Sequence, residues 1–294
     1  MSGLTHEFTA KLAAPAERVF AALSEPAQLR GWFAEHVEME PKSGGAFRFW
    51  GRYTYGAPTR AQATQQLTRY TQPRELAFTW TLHDQQSEVR VVLEPDPETP
   101  GGTLLKGTHT FTQAPAISRA REMVDDLWRL NMGNLQAHLA GGTGVLLPDY
   151  ADASPTIRTS IMIDAPRERV FQALLDPALL NQWIAAAAEV EPKVGGRYAF
   201  GWKYEMNGIN VVGGPTRILE MVPNEKLVTD WPDWRGDTNV PVQTVTWLLE
   251  SVGTQTRVTL IHAGFTRTVD FSDYPFGWGW FLSRLKQTVE GVGS

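Results

Sequence analysis

The sequence predicts an α+β protein made of two copies of one domain, each ordered as a strand, two short helices, about six antiparallel strands and a long closing helix. Three observations predict it. Ala14-Pro15-Ala16-Glu17-Arg18-Val19-Phe20 returns as Ala165-Pro166-Arg167-Glu168-Arg169-Val170-Phe171, and the match runs without a gap to Phe49 and Phe200, with about twenty of some thirty-six positions identical. After each matched block apolar residues alternate, and each half ends on apolar residues at helical spacing before a glycine. A period this long is that of a domain rather than of a solenoid repeat.

Each element has a local cause. Pro15 and Pro166 stand where the first turn of a helix needs no amide donor, and Val19, Phe20 and Leu23 then share one helix face. Pro26 and Pro177 end that helix and start another, which carries Leu29, Trp32 and Phe33 or Leu180, Trp183 and Ile184. Glu38, Glu40, Pro41, Lys42, Gly44 and Gly45, matched by Glu189, Glu191, Pro192, Lys193, Gly195 and Gly196, precede alternating Phe47 and Phe49 or Tyr198 and Phe200, which reads as a hairpin. In the first copy the expected strands run over 46–53, 61–70, 76–82, 87–94 and 103–111, and in the second over 197–206, 216–222, 227–231, 244–251 and 257–263. Met123, Leu127, Leu130 and Leu135 space the first closing helix, and Trp278, Phe281, Leu282, Leu285 and Val289 the second. The expected domains are 1–145 and 156–294, joined by an acidic, proline-containing linker at 146–155 with its boundary near Asp152.

Composition narrows the function classes. The chain has 294 residues, so each half is of ordinary domain size. It has no cysteine, which excludes disulfides, thiolate metal sites and a cysteine nucleophile and fits a reducing cytoplasm. The formal net charge is −5, and the 27 Lys and Arg form no dense cluster, so nucleic acid and anionic membranes are poor partners. No apolar run has the length of a membrane span, and the first residues lack a basic segment followed by an apolar one. The chain therefore reads as cytoplasmic, without membrane insertion. Zincin, serine-hydrolase, nucleotide-loop and calcium-loop motifs are absent, and no catalytic residue, metal or cofactor is expected.

The pattern Ala-Pro-x-Glu-Arg-Val-Phe, then Pro-x-x-Leu-x-x-Trp, then Pro-x-x-Gly-Gly-x-[Phe/Tyr]-x-Phe, then His109-Thr110-Phe111 or His262-Ala263-Gly264-Phe265 before a Trp-bearing helix, resembles the family homologous to the C-terminal domain of the activator of heat-shock protein 90 ATPase. This family lies in the START-like, or SRPBCC, superfamily. The resemblance covers nearly all of both halves. It implies two tandem helix-grip domains, each a curved antiparallel sheet wrapped around its C-terminal helix with a cavity for an apolar small molecule between them. Residues suited to line that space are Trp32, Phe47, Phe49, Tyr53, Trp80, His109 and Trp128 in the first copy, and Trp183, Phe200, Trp202, Tyr204, Trp247, His262, Trp278 and Phe281 in the second. Taken singly, each of these aromatics reads as core; only the excess, eleven tryptophans in all, points to a pocket.

His109 and His262 end the last strand of each copy, where an imidazole either meets a ligand or holds the adjacent turn. Arg18 and Arg169 read as a solvated helix face, and the paired glutamates as a strand edge. The segment Trp231-Pro232-Asp233-Trp234-Arg235-Gly236-Asp237 has no evident counterpart in the first copy and reads as a lid, a surface loop or a partner contact. The leading expectation is a non-enzymatic binding protein for a small hydrophobic or aromatic ligand. The alternatives are a co-chaperone acting on a heat-shock ATPase through a surface, as the family name implies, and a cyclase- or hydrolase-like enzyme using a cavity histidine. Against the co-chaperone, the activator's separate N-terminal domain has no match in this sequence.

Overall fold

The chain divides into two compact units, Met1–Asp152 and Ala153–Ser294. The computed structural model describes residues 3–116, 120–206, 209–233, 240–266, 268 and 274–291.

The first unit contains β1 (Leu4–Leu12), α1 (Ala16–Ser24), α2 (Pro26–Leu29), β2 (His36–Met39), β3 (Phe47–Trp50), β4 (Leu67–Thr71), β5 (Glu75–Leu82), β6 (Gln85–Pro95), β7 (Thr103–Phe111) and α3 (Ala120–Leu139). The second contains β8 (Ile157–Ile163), α4 (Arg167–Leu175), α5 (Pro177–Trp183), β9 (Glu189–Val190), β10 (Tyr198–Ala199), β11 (Trp202–Met206), β12 (Ile209–Gly213), β13 (Ile218–Val222), β14 (Lys226–Trp231), β15 (Gln243–Val252), β16 (Gln255–Ala263) and α6 (Tyr274–Glu290). Each unit is a helix-grip domain. Its main sheet has five antiparallel strands, in the order β1-β7-β6-β5-β4 or β13-β14-β15-β16-β8, with a small β2-β3 or β10-β9 hairpin beside it.

Two repeated hydrogen bonds and a repeated bulge explain why the same residues fold the same way twice. The indole Nε1 of Trp32 donates to Ala22 O, and that of Trp183 to Ala173 O, both at 3.0 Å, fixing the bend between the two short helices. Thr103 Oγ1 donates to Ala14 O and Thr256 Oγ1 to Ala165 O, both at 2.7 Å, tying the last strand to the turn before the first helix. A bulge lies between Leu67 and Arg69 and again between Ile218 and Glu220, where it sharpens the local twist.

The strand expectations need three corrections. The strand expected over 61–70 is confined to 67–71, because residues 60–62 form a 3-10 turn capped by Thr59. The strand at 46–53 ends at Trp50, where Gly51 takes a φ of +100°. The run 197–206 breaks into β10 and β11 at Gly201, whose φ is +70°. The expected linker also begins later than 146 in physical terms. Leu146 exchanges two hydrogen bonds with the Asn134 side chain, and the Tyr150 amide donates to Arg52 O at 2.7 Å, so this stretch packs on the first unit.

The two sheets fill one equivalent position differently. Phe8 faces Gly107 across β1 and β7, where Thr159 faces Leu260 across β8 and β16. A Cβ on Gly107 would fall inside the Phe8 ring, which stacks on Trp128 at a centroid distance of 4.0 Å. Gly107→Leu alone is therefore expected to destabilise the first domain by about 1–3 kcal/mol through overpacking. Phe8→Thr alone is expected to cost about 3 kcal/mol through the cavity it leaves. Because the two residues share one space, the double variant should recover at least about 1 kcal/mol relative to the sum, as urea denaturation of the four proteins would measure.

Candidate functional site

In each domain the last strand and the C-terminal helix meet at one buried hydrogen bond. Trp128 Nε1 donates to His109 Nδ1 at 3.1 Å, and Trp278 Nε1 donates to His262 Nδ1 at 3.1 Å. With Nδ1 accepting, the imidazole proton sits on Nε2. In the first domain it points to Ser87 Oγ at 2.7 Å, which itself donates to Trp80 O. In the second, Nε2 meets Gln243 Oε1 at 3.2 Å. Both rings are fully buried. Burial lowers both pKa values from 6.5 to about 3, so the neutral form is held at any physiological pH.

Around the first histidine the expected aromatics interlock. Phe33 meets Phe49 at 4.9 Å, Phe49 meets Trp80 at 5.1 Å, and Trp80 stacks on His109 at 5.7 Å. Trp32, Phe47, Phe49, Trp80 and Trp128 are all buried, whereas Tyr53 is half-buried beneath the Arg52 guanidinium. Small voids lie between sheet and helix among the described residues, one of about 10 Å³ beside Leu127, Thr54 and Tyr150 and one of about 20 Å³ beside Trp32, Phe47 and Met132. Each has room for about one water. Leu147, Pro148 and Tyr150 close the first void from outside. Burial, with the Asp126 carboxylate, pushes the Tyr150 phenol above its ordinary pKa.

The second domain uses the same bond with a different surround. Trp183, Phe200, Trp247 and Trp278 are core residues, each about 2% exposed or less. Tyr198 Oη donates to Leu174 O at 2.7 Å, where the first domain has Phe47. Trp202 is half-buried, donates from Nε1 to Ile184 O at 2.7 Å and stacks on half-buried Phe281 at 5.5 Å. Tyr204 is 41% exposed and Trp280 55% exposed. Trp231 is buried at the end of β14 and donates to Tyr274 Oη at 3.1 Å. It faces Gln243 in the sheet as Trp80 faces Ser87, so it is the counterpart of Trp80 and belongs to the core rather than to a loop. Trp234 to Asp237 of the expected lid lie outside the described residues.

Counting along each helix from the histidine-bonded tryptophan sets Leu127 against Gly277, Leu130 against Trp280 and Asn131 against Phe281. Leu127 is buried and fills the space under the helix of the first domain. At Gly277 a built Cβ meets no described atom within 4 Å. Tyr274, Gly277 and Phe281 share one helix face, so the open space at Gly277 lies beside two aromatic residues that contact Trp231 and Trp202.

The family model described as activator of Hsp90 ATPase homolog 1-like protein matches residues 13–140 and again residues 164–290. The chain belongs to that family. Among curated proteins none matches the sequence. Solved structures do. CalU16 from Micromonospora echinospora is 22% identical over 47% of this chain and 76% of its own, with a TM-score of 0.37. The Aha1 dimer from Colwellia psychrerythraea is 25% identical over 46% of this chain and 96% of its own, with a TM-score of 0.37. DynU16, from the dynemicin biosynthetic locus, is 16% identical over 97% of this chain and 98% of its own, with a TM-score of 0.39.

In this member of the Hsp90-activator-homologue family, sequence reasoning named both histidines and both helix tryptophans but missed Ser87, Gln243, Tyr150, Tyr274 and Gly277. Ser87 and Gln243 differ in type and lie in regions where the repeat is no longer visible, so only strand register pairs them. Among the described residues no group of three or more His, Cys, Asp or Glu is placed to hold a metal ion. No described helix is long and apolar enough to cross a membrane.

The buried histidines dictate a pH dependence. An unfolded chain protonates its imidazoles near pH 6.5, whereas these rings resist protonation down to about pH 3. Between those values the unfolded state binds more protons, so stability is intact above about pH 6.5 and falls as pH drops toward 3. Each histidine contributes a loss of up to about 1.4 kcal/mol per pH unit. Denaturant midpoints measured at pH 7, 6 and 5 should fall accordingly, and His109→Gln should flatten the dependence of the first domain alone.

Proposed function

We propose that the protein is a non-enzymatic binding protein whose second domain holds a small, neutral hydrophobic or aromatic molecule between sheet and C-terminal helix. The observation that carries this reading is the opening at Gly277, where the first domain has Leu127. A ligand site needs a concave apolar wall and a few polar groups. Trp202, Trp231 and Phe281 give the wall, and the Tyr274 hydroxyl lies against it. No lysine or arginine is among these residues, which favours an uncharged guest.

Binding without turnover is supported by the histidine geometry. The single lone pair of each neutral imidazole is already taken by an indole N–H, and its proton by Ser87 or Gln243. A general base needs that lone pair free or within reach of a proton donor on the substrate. In the first domain the corresponding space is filled by Leu127 and closed by Tyr150.

Titration of the full chain with N-phenyl-1-naphthylamine, a neutral dye that brightens in apolar surroundings, tests this. The dye should bind saturably. Gly277→Leu should weaken it at least tenfold, and Trp202→Ala by about 1–3 kcal/mol, the range for one buried stacking contact. Leu127→Gly should leave that site untouched. Equal affinity in the parent and Gly277→Leu proteins would overturn the assignment.

A further inference from the structure

The first domain carries a further concavity, at the β5–β6 end of the sheet, whose chemistry differs from that of the helix–sheet space. It is a cleft of about 400 Å³ between the chain around Tyr55 and the turn from β5 to β6. We propose that this cleft binds a small organic molecule bearing a planar N–H donor group, an amidine or guanidinium on a flat ring.

Three observations carry the proposal. The first is the distribution of backbone strain. Among described residues other than glycine, four have positive φ; two of them, His83 at 48° and Asp84 at 60°, line this cleft, and a third, Ala57 at 46°, stands in the chain between its lining residues Gly56 and Pro58. His83 and Asp84 form a two-residue hairpin turn whose geometry asks for positive φ at both positions, where Asn-Gly would be relaxed. Such conformations cost of order 1–3 kcal/mol each and gather at functional sites. The second is what the strained turn positions. It sets His83 Nε2 3.0 Å from Tyr55 Oη, with the two rings edge to face at 5.6 Å, so that the wall of the cleft is tied to its rim.

The third is an unmet acceptor. Gln65 is 5% exposed and lines the cleft; its Nε2 donates to Phe49 O at 3.3 Å, while its Oε1 has no hydrogen-bond partner among the described residues. A buried acceptor left unmade costs about 1–3 kcal/mol, which a donor from a guest removes. Asp84 adds a carboxylate at the mouth, and the cleft's lining includes neither lysine nor arginine. An acceptor in the wall, an anion at the rim and the Trp80 and Tyr55 rings alongside match a flat cation that donates N–H bonds, and disfavour an anion. The second domain lacks the arrangement. There Thr216 stands in place of Gln65, and both its amide and its hydroxyl donate to Asp230.

The test is nuclear magnetic resonance of the full, 15N-labelled chain with benzamidine as probe and benzoate as its charge-reversed counterpart. Benzamidine should shift the backbone amides of residues 54–57, 65 and 82–85 in a saturable manner. Benzoate should not. Asp84→Asn, an exposed substitution that leaves the turn residue polar, should weaken benzamidine at least threefold, and Gln65→Met at least fivefold. Shifts absent from these residues, or produced equally by benzoate, would overturn the proposal, as would unchanged affinity in Asp84→Asn. The comparison of the two probes on the parent protein stands even if Gln65→Met fails to fold. Because the readout lies in the first domain, it fails or succeeds independently of dye binding in the second.

Discussion

The hydrogen bond from an indole on the closing helix to a histidine on the last strand is the constraint on which the rest of each domain depends. It joins helix to sheet in each repeat at one fully buried point. An apolar contact there would set distance but not register, whereas an N–H aimed at one lone pair sets both. The bond also fixes the imidazole tautomer, and Ser87 or Gln243 satisfies the proton that results. A half-satisfied version would be costly, so the bond and its partner are retained together while the partner's identity varies.

With helix and sheet registered in this way, the remaining helix positions can diverge without loss of the fold. The first domain spends that freedom on packing. Leu127 and the stretch at 147–150 reduce the helix–sheet space to voids of about 10 and 20 Å³. The second domain keeps the bond but sets glycine where Leu127 stood and an aromatic where Asn131 stood, leaving open space beside Tyr274 and Phe281. Glycine inside a helix costs about 1 kcal/mol relative to alanine, so two of them, Gly277 and Gly279, flanking the clamping tryptophan are a departure from stability alone.

Much of the fold was legible in the sequence because the repeat itself is. Proline at the start of each helix pair, the Gly-Gly hairpin and the Trp32 and Trp183 match all mark backbone events that a chain can encode locally. The candidate site was legible only in its outline. Trp247 and Trp231 illustrate the limit: both are tryptophans in strand-like runs, yet Trp231 is the true counterpart of Trp80, and Trp247 sits opposite Leu260 in the core. Strand register, which composition does not carry, decides between them. Tyr150 was read as linker because its segment is acidic and proline-containing, although its ring packs on Tyr55 at 5.4 Å. Gly277 was passed over because a glycine signals nothing until its counterpart is known.

The most direct measurement of this account is the protonation state of the six histidines, followed by 15N resonance of selectively labelled imidazole rings from pH 7.5 to 4.5. Two rings are expected to remain neutral with the proton on Nε2 across the whole range, each linked to an indole N–H that exchanges slowly. If all six rings titrate near pH 6.5, or if the two buried ones carry their proton on Nδ1, the bond that registers helix against sheet is not present and the account fails.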